Sequence, residues 1–598
     1  MKKMKLCFSI LAMISTVACS NKANIDFSEN NYDSDPISQI TSSGEDNDYD
    51  SSYSKEEDVV VPEEYDTFSD NTISAAGKYY LKGEYPSISI TAAKDSEVYV
   101  FMDGATINCS TGIAFGSSKA IKFYLVLLND SVNTINNDFL DTNSFHIKGE
   151  AHISGKGTLN IESKQKNGLK VSKDLYISGS VTLNVIGKNH AITARSLICD
   201  GATLNVTSYD KDGLQMEVDS GLTEFDKTQG FVRLTNTNLT ANCHGDGIQA
   251  DTYVYISGGT QNIKTECEFV SYSVPNMTLY ELEEEDFRFK KSGDTYQRVA
   301  TDEIRSLDSS YYALSNSAKG IKAGALEIDT DDDGEVDKVL EGDYDIFVDH
   351  LANLTINSFD DCIHSNYGDV HLYNCNLVMD SMDDGAHADY NLLVNNASIQ
   401  INKSYEGLEG AVVTIDGENT NIVSISQDDG INAASDLVTE NYIYINNGYF
   451  RVYASGDGLD ANTGLYLNGG TVIVEGPGSG NGSLDSDNIY FNGGIVFACS
   501  TNGMRERMTA KQNTFVWQGS TLAASSEISI VDSNNKPLFN YTLKQSCTQI
   551  IFSHKDLALQ STYKIMKGSS SVASITMTSS LTSSGSSGGG GHGGGPRP

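Results

Sequence analysis

The sequence is short of positive charge. In 598 residues, 41 Lys and Arg face 80 Asp and Glu, a formal net charge of −39. That balance argues against nucleic acid or an anionic membrane face as partner, since both are held by basic side chains. No stretch is long and apolar enough to cross a bilayer; Leu6–Val17 falls short of the roughly 20 residues needed. No 3.6-residue period marks an amphipathic helix. Cys109, Cys199, Cys243, Cys267, Cys362, Cys375, Cys499 and Cys547 form no CxxC pair and no disulfide-framework spacing, so they read mainly as buried apolar residues, with a disulfide open to an exported chain. There is no Ser-His-Asp set, phosphate loop or zinc cysteine set.

What is present is repetition. The phrases Asp360–Ser365, Asp383–Ala388, Tyr405–Gly410, Asp428–Ala433 and Gly456–Ala461 align, with an acid at 361, 384, 406, 429 and 457, in steps of 23, 22, 23 and 28 residues. Between them lie Val-, Ile-, Tyr- and Thr-rich runs, Val370–Leu377, Leu392–Ile401, Val412–Ile425, Tyr442–Val452 and Leu465–Val474. A period of about 22 residues made only of strand and turn fits one rung of a parallel β-helix, and the LxxLxLxxN pattern of a leucine-rich repeat is absent. The expected fold is all-β, a parallel β-helix with β-rich caps at both ends. Rungs then pair at roughly 4.8 Å and equivalent residues stack in columns.

Ile363, Ala386, Leu408, Ile431 and Leu459 make one inward column; Ser365, Ala388, Gly410, Ala433 and Ala461 make a second, of small residues. His364, His387, Glu409, Asn432 and Asp460 alternate with them and point outward. Gly385, Gly407, Gly430 and Gly458 are expected to supply a backbone angle other residues resist. Asp361, Asp384, Glu406, Asp429 and Asp457 stack into an acid column, flanked by Asp360, Asp383 and Asp428. Like charges ~5 Å apart repel by about 1 kcal/mol even in water, and Ca²⁺, which takes six to eight oxygens, offsets that directly. The competing explanation is that Asp-Gly and Asn-Gly are simply good turn residues. A second Ca²⁺ site is expected at Asp329, Asp331, Asp333 and Asp337, which match the first nine positions of a DxDxDGxxD loop; Leu340 stands where an EF-hand needs Glu, so this is not an EF-hand.

Residues 1–19 read as a signal segment: Lys2, Lys3 and Lys5, an apolar stretch, then Thr16-Val17-Ala18-Cys19, similar to a bacterial lipoprotein signal with Cys19 as the lipidated residue. Loss of the three lysines takes the charge from −39 to −42. Residues 20–70, polar and poor in aliphatics, are expected to be a disordered tether. The β-helix should occupy 71–500, with atypical strands at its N-terminal end and a charged, aromatic excursion at 269–314; 501–568 should form a β-rich C-terminal cap, and 569–598 a Gly/Ser-rich disordered tail. Before the main block, Asn167-Gly168-Leu169, His190-Ala191-Ile192 and Asp212-Gly213-Leu214 keep the same step, and Asp246-Gly247-Ile248 follows after a loop.

Three runs carry a resemblance: Ile73–Gly83; Gly245–Ala250 followed by Tyr255–Thr260; and Ser317–Ala323. Over roughly Asp70 to Gly568 the chain resembles a family of bacterial exported carbohydrate-binding domains. The resemblance implies a right-handed parallel β-helix similar to pectate lyases, Ca²⁺ binding, and association with acidic plant polysaccharide and cellulose. The reading is therefore a Ca²⁺-binding, lipid-anchored cell-envelope protein that binds polysaccharide, expected to be a monomer, touching membrane only through its lipid and binding no nucleic acid. Candidate sugar contacts are His364, His387, Glu409, Tyr390 and Tyr453, with Tyr373, Tyr444, Tyr466 and Tyr490 available either for sugar or for stacking along the coil; the two histidines could equally ligate a metal or stand as exposed ladder residues. Two alternatives remain. One is a Ca²⁺-dependent lyase on uronate polymers, which needs a basic residue to take the C5 proton, and Lys319, Lys322, Lys403 and Arg451 carry no motif that marks one. The other is a passive surface rod.

Overall fold

The computed structural model describes residues 62–273, 289–299, 310–328, 336, 338–435, 437–477, 481–501 and 507–584. These are all-β, and the parallel β-solenoid turns they form number about 16. Two compact units divide the chain: residues 1–346 with 366–368, and residues 347–365 with 369–598.

The second unit shows how a rung is built. After the Asp429-Gly430 phrase comes the three-residue strand Ile431–Ala433, then Tyr442–Ile445, then Tyr449–Ala454; after Gly385 and Gly407 the first two strands run together as Ala386–Asn395 and Leu408–Asp416. Each pairs in parallel with its counterpart one turn on: Ile431 with Leu459, Tyr444 with Tyr466, Val452 with Val474. In-register pairing converts the period-2 alternation of a strand into columns. Ile363, Ala386, Leu408, Ile431 and Leu459 are wholly buried, as are Ser365, Ala388, Ala433 and Ala461. Full burial of a side chain such as Leu408 contributes about 1.5–3 kcal/mol. His364, His387, Glu409, Asn432 and Asp460 between them are half-buried.

The glycines of the phrase have a different role from the one expected. None of Gly385, Gly407, Gly430 and Gly458 takes a positive φ. What they lack is room: a Cβ on Gly407 would lie 2.2 Å from the Gly430 carbonyl oxygen, and one on Gly430 would lie 2.1 Å from Val452 Cγ1 and 2.4 Å from the Gly458 oxygen. The glycine lets adjacent turns close to rung spacing.

In the first unit the strands Gly77–Tyr85 and Glu97–Cys109 open the coil, and short strands such as Leu169–Val171, Ile192–Ala194 and Leu214–Met216 then repeat in register. Residues 62–70, expected within the tether, are held to the coil at Tyr65, Asp66 and Phe68. Asp66 and Lys78 exchange backbone and carboxylate hydrogen bonds of 2.7 and 2.8 Å, and Tyr65 lies against Tyr80 and Phe101. Aromatic residues hidden in a polar stretch supply the burial its average composition does not suggest. The 269–314 excursion contains an antiparallel four-stranded sheet of Phe269–Ser273, Phe289–Ser292, Thr295–Arg298 and Ser310–Leu314.

The C-terminal segment changes the pairing. Ile495–Ser500 pairs in parallel with the preceding rung but antiparallel with Cys547–Ser553, which also pairs antiparallel with Thr514–Leu522. Phe497, Phe515, Trp517, Phe552 and Ile565 bury together beneath these strands, covering apolar surface that an open-ended solenoid would expose. The expected disordered tail begins too early. Ser570–Thr576 pairs with Thr562–Lys567, Leu581–Ser584 pairs with Thr514–Trp517, and Ile575 and Met577 are buried. Apolar residues at strand spacing inside a Ser-rich run anchor it. Residues 585–598, 1–61 and the acidic loop positions Asp329, Asp331, Asp333 and Asp337, with Cys19, lie outside the described residues.

Candidate metal and carbohydrate site

The acid column is a hydrogen-bonded ladder. Asp361 Oδ1 accepts the backbone N–H of Asp384 at 2.9 Å, and Asp384 Oδ1 accepts that of Glu406 at 3.1 Å. Higher up, Asp429 Oδ1 accepts the Asp457 N–H at 2.5 Å, and Asp457 Oδ1 accepts the Gly482 N–H. The first unit uses the same device, since Asp212 Oδ1 accepts the Asp246 N–H at 2.8 Å and Asp246 Oδ1 the Lys319 N–H at 2.7 Å. One oxygen of each of these aspartates thus satisfies a turn amide of the next rung, which is a structural reason for Asp here that needs no cation.

The remaining oxygens are crowded. Ligand-capable atoms of Asp360, Asp361 and Asp383 lie within 4.8 Å of one another, as do those of Asp361, His364 and His387, of Asp384, His387 and Glu409, and of Asp429, Asp457 and Asp460. Burial, then neighbouring carboxylates, raises the affinity of these acids for protons: Asp384 is lifted, Glu406 and Glu409 stand well above the usual range, Asp429 is pushed up to about 8 and Asp457 to about 6.

Around His387 the protein supplies its own counter-charge. Its Nδ1 lies 3.3 Å from Glu409 and 3.5 Å from Asp384, and its Nε2 lies 3.5 Å from Asp389. Burial works against the imidazolium, but Asp384, Asp361 and Asp389 outweigh it and lift the ring to about 9. His364 Nδ1 is 2.5 Å from Asp361 Oδ2, and the His364 and His387 rings lie 4.4 Å apart, tilted by 39°. The histidines and Glu409, expected as sugar contacts, are therefore engaged with the acid column rather than left free on a face.

The rungs at 429 and 457 have no such histidine. Asp428 Oδ1 and Asp429 Oδ1 converge over Gly456, where a Cβ would come within 2.2 and 2.3 Å of them. Glu406 Oε2, one rung away, is buried without a hydrogen-bond partner. An all-carboxylate set with space left by a missing side chain fits a hard, oxygen-liganded cation such as Ca²⁺. The structure thus brings together Asp429 and Asp457 with Asp460, and Asp360 with Asp361 and Asp383. Asp460 was not among the expected ligands; its signal is its place in the outward column, between the inward residues Leu459 and Ala461.

The tyrosines divide. Tyr390 is half-buried. Tyr444, Tyr466 and Tyr490 stack on one another at 4.9 and 4.5 Å, so their faces meet each other and their edges point outward. Tyr453 does not fit the expected sugar platform. It is only 6% exposed, its hydroxyl meets that of Tyr541 at 3.1 Å, and Lys544 Nζ covers its ring at 4.0 Å. It is packed between coil and cap, because the cap strands fold back over that part of the rung.

No curated protein matches the chain. A solved polysaccharide lyase-like protein from C. thermocellum, as a gadolinium derivative, is similar at 21% identity over 33% of this chain and 80% of that one, with a TM-score of 0.28. The carbohydrate-binding domain-containing protein family matches residues 69–385 and 374–542. With most of its length so matched, the chain belongs to the family of carbohydrate-binding domain-containing proteins.

Proposed function

We propose that this chain is a calcium-dependent polysaccharide-binding protein of the cell envelope, anchored through lipidated Cys19. Family membership supports carbohydrate binding. The observations that carry the calcium reading are two carboxylate sets sharing Asp429, one with Asp428 over Gly456 and one with Asp457 and Asp460 within 4.8 Å, without a basic partner among the charges that act most on Asp429. Ionised together, these groups repel; a divalent cation would hold them and leave part of its coordination shell for sugar hydroxyls or carboxylates. Asp360, Asp361 and Asp383 form a second candidate set.

Metal analysis of the full chain tests this. Gly456→Ala should lower bound Ca²⁺ by filling the space, and Asp457→Asn should do so by removing charge while keeping an acceptor for Gly482. Unchanged Ca²⁺ content in both variants would refute the site. Fatty-acid labelling that persists in Cys19→Ser would refute the anchor. A lyase would in addition release unsaturated uronate, detectable by its ultraviolet absorbance.

A further inference from the structure

Several cations of this acidic protein sit on a carboxylate, as Arg195 does on Asp174 and Lys173 on Asp219. Arg451 and Lys544 do not. They flank Tyr453, with the guanidinium 5.2 Å and the ammonium 4.0 Å from the ring centroid, and among the described residues neither forms an ion pair. Arg451 Nε is buried without any acceptor. A guanidinium carries five N–H donors, and a buried donor left unmade is costly.

Both cations line a cleft of about 860 Å³ between the coil strand Tyr449–Ala454 and the cap strands Glu527–Val531 and Pro537–Thr542. Ser529, Asn540 and Thr542 add polar groups, and exposed Glu527 is the one carboxylate among its lining residues. Glu475 lies beneath the tyrosines with its oxygens already taken, at 2.7–3.0 Å, by the Tyr541 hydroxyl and the Lys544 and Gln545 amides. It holds the cap turn and cannot also serve Arg451.

We propose that this cleft binds the anionic group, a carboxylate or a sulfate, of a saccharide chain. The guanidinium fork and ammonium would take the anion, and the hydroxyls and Asn540 would face the sugar. The inference rests on the carbohydrate-binding reading but uses a site separate from the acid column and independent of Ca²⁺.

The test is titration of the full chain with a uronic trisaccharide, a sulfated trisaccharide and a neutral one, all in chelator so that the acid column holds no metal. An anionic sugar should bind and the neutral one should not, and the tighter of the two identifies the charged group. Arg451→Gln with Lys544→Gln should weaken binding at least tenfold; Arg451→Lys should restore only part of it, lacking the fork. Lys544 is exposed, so Lys544→Gln alone, with an unchanged thermal midpoint, should still weaken binding. No binding of either anionic sugar in chelator, or binding unchanged in the double variant, overturns the proposal. Retention on polymer that needs Ca²⁺ and ignores the double variant overturns it while leaving the calcium site intact.

Discussion

Asp384 does two jobs, and two substitutions separate them. Its Oδ1 accepts the Glu406 N–H at 3.1 Å, and its charge sits among Asp361, Asp383 and Glu409 at a position 5% exposed. Asp384→Ala removes the acceptor and leaves a buried amide unpaired, which costs about 1–3 kcal/mol. For a unit of 150–250 residues each kcal/mol moves the midpoint by about 2–4 °C, so the midpoint should fall by roughly 2–12 °C with or without metal. Asp384→Asn keeps an oxygen for Glu406 and deletes one charge. The ligand atoms of Asp384 and Glu409 lie within 4.8 Å, where two ionised carboxylates repel by at least about 3 kcal/mol at an effective dielectric near 20, but the same substitution also gives up the attraction of Asp384 for the His387 ring 3.5 Å away, which is of similar size. The two roughly offset each other, so in chelator the Asn variant should melt close to the parent and above the Ala variant. Differential scanning calorimetry of both variants in chelator reads this directly. Equal destabilisation by Ala and Asn would refute the ladder, because it would mean that the charge and not the hydrogen bond holds the turn.

The raised acids also give a pH dependence. Asp429 near 8 and Asp457 near 6 hold protons in the folded chain that the unfolded chain releases near pH 4, so metal-free stability should fall as pH rises from about 4 to 8. His387, lifted to about 9, contributes fully below about 6.5 and loses its contribution as pH rises through 9, in the same direction. Thermal midpoints in chelator that rise across this window would contradict both. Gly430→Ala should destabilise by about 1–3 kcal/mol through overpacking against Val452 and the Gly458 carbonyl; a neutral result in denaturant titration would show that rungs can separate to admit a methyl. Glu475→Ala should leave the Lys544 and Gln545 amides unpaired, at about 1–3 kcal/mol each, and accelerate their hydrogen exchange; unaltered exchange would mean that the cap turn is held otherwise.

The coil was legible because its information is periodic. Steps of 22 and 23 residues fix which residues stack, so the inward columns Ile363–Leu459 and Ser365–Ala461 follow from arithmetic and alternation alone. What a column does was harder to read. An acid recurs in every phrase, but only coordinates reveal that one oxygen of Asp361, Asp384, Asp429 and Asp457 is committed to an amide of the next rung. The glycines are plainly small; that the limit is the neighbouring carbonyl and not φ depends on rung spacing. Tyr453 and Arg451 alternate on a strand like any outward pair, and their burial comes from a cap some 90 residues later, a distance that no local pattern carries. The same holds at the ends, where Tyr65, Ile575 and Met577 pack from within stretches whose average composition is that of a tether or tail.

The proposed metal-dependent recognition of polysaccharide is what joins the acid column to the carbohydrate-binding family. The most direct measurement is retention of the full chain on a panel of immobilised acidic and neutral polysaccharides, with Ca²⁺ and with chelator, alongside Gly456→Ala. The account predicts retention on at least one polymer that chelator reduces and that Gly456→Ala reduces to the same level. Equal retention with and without Ca²⁺, or retention absent from every polymer, would contradict it.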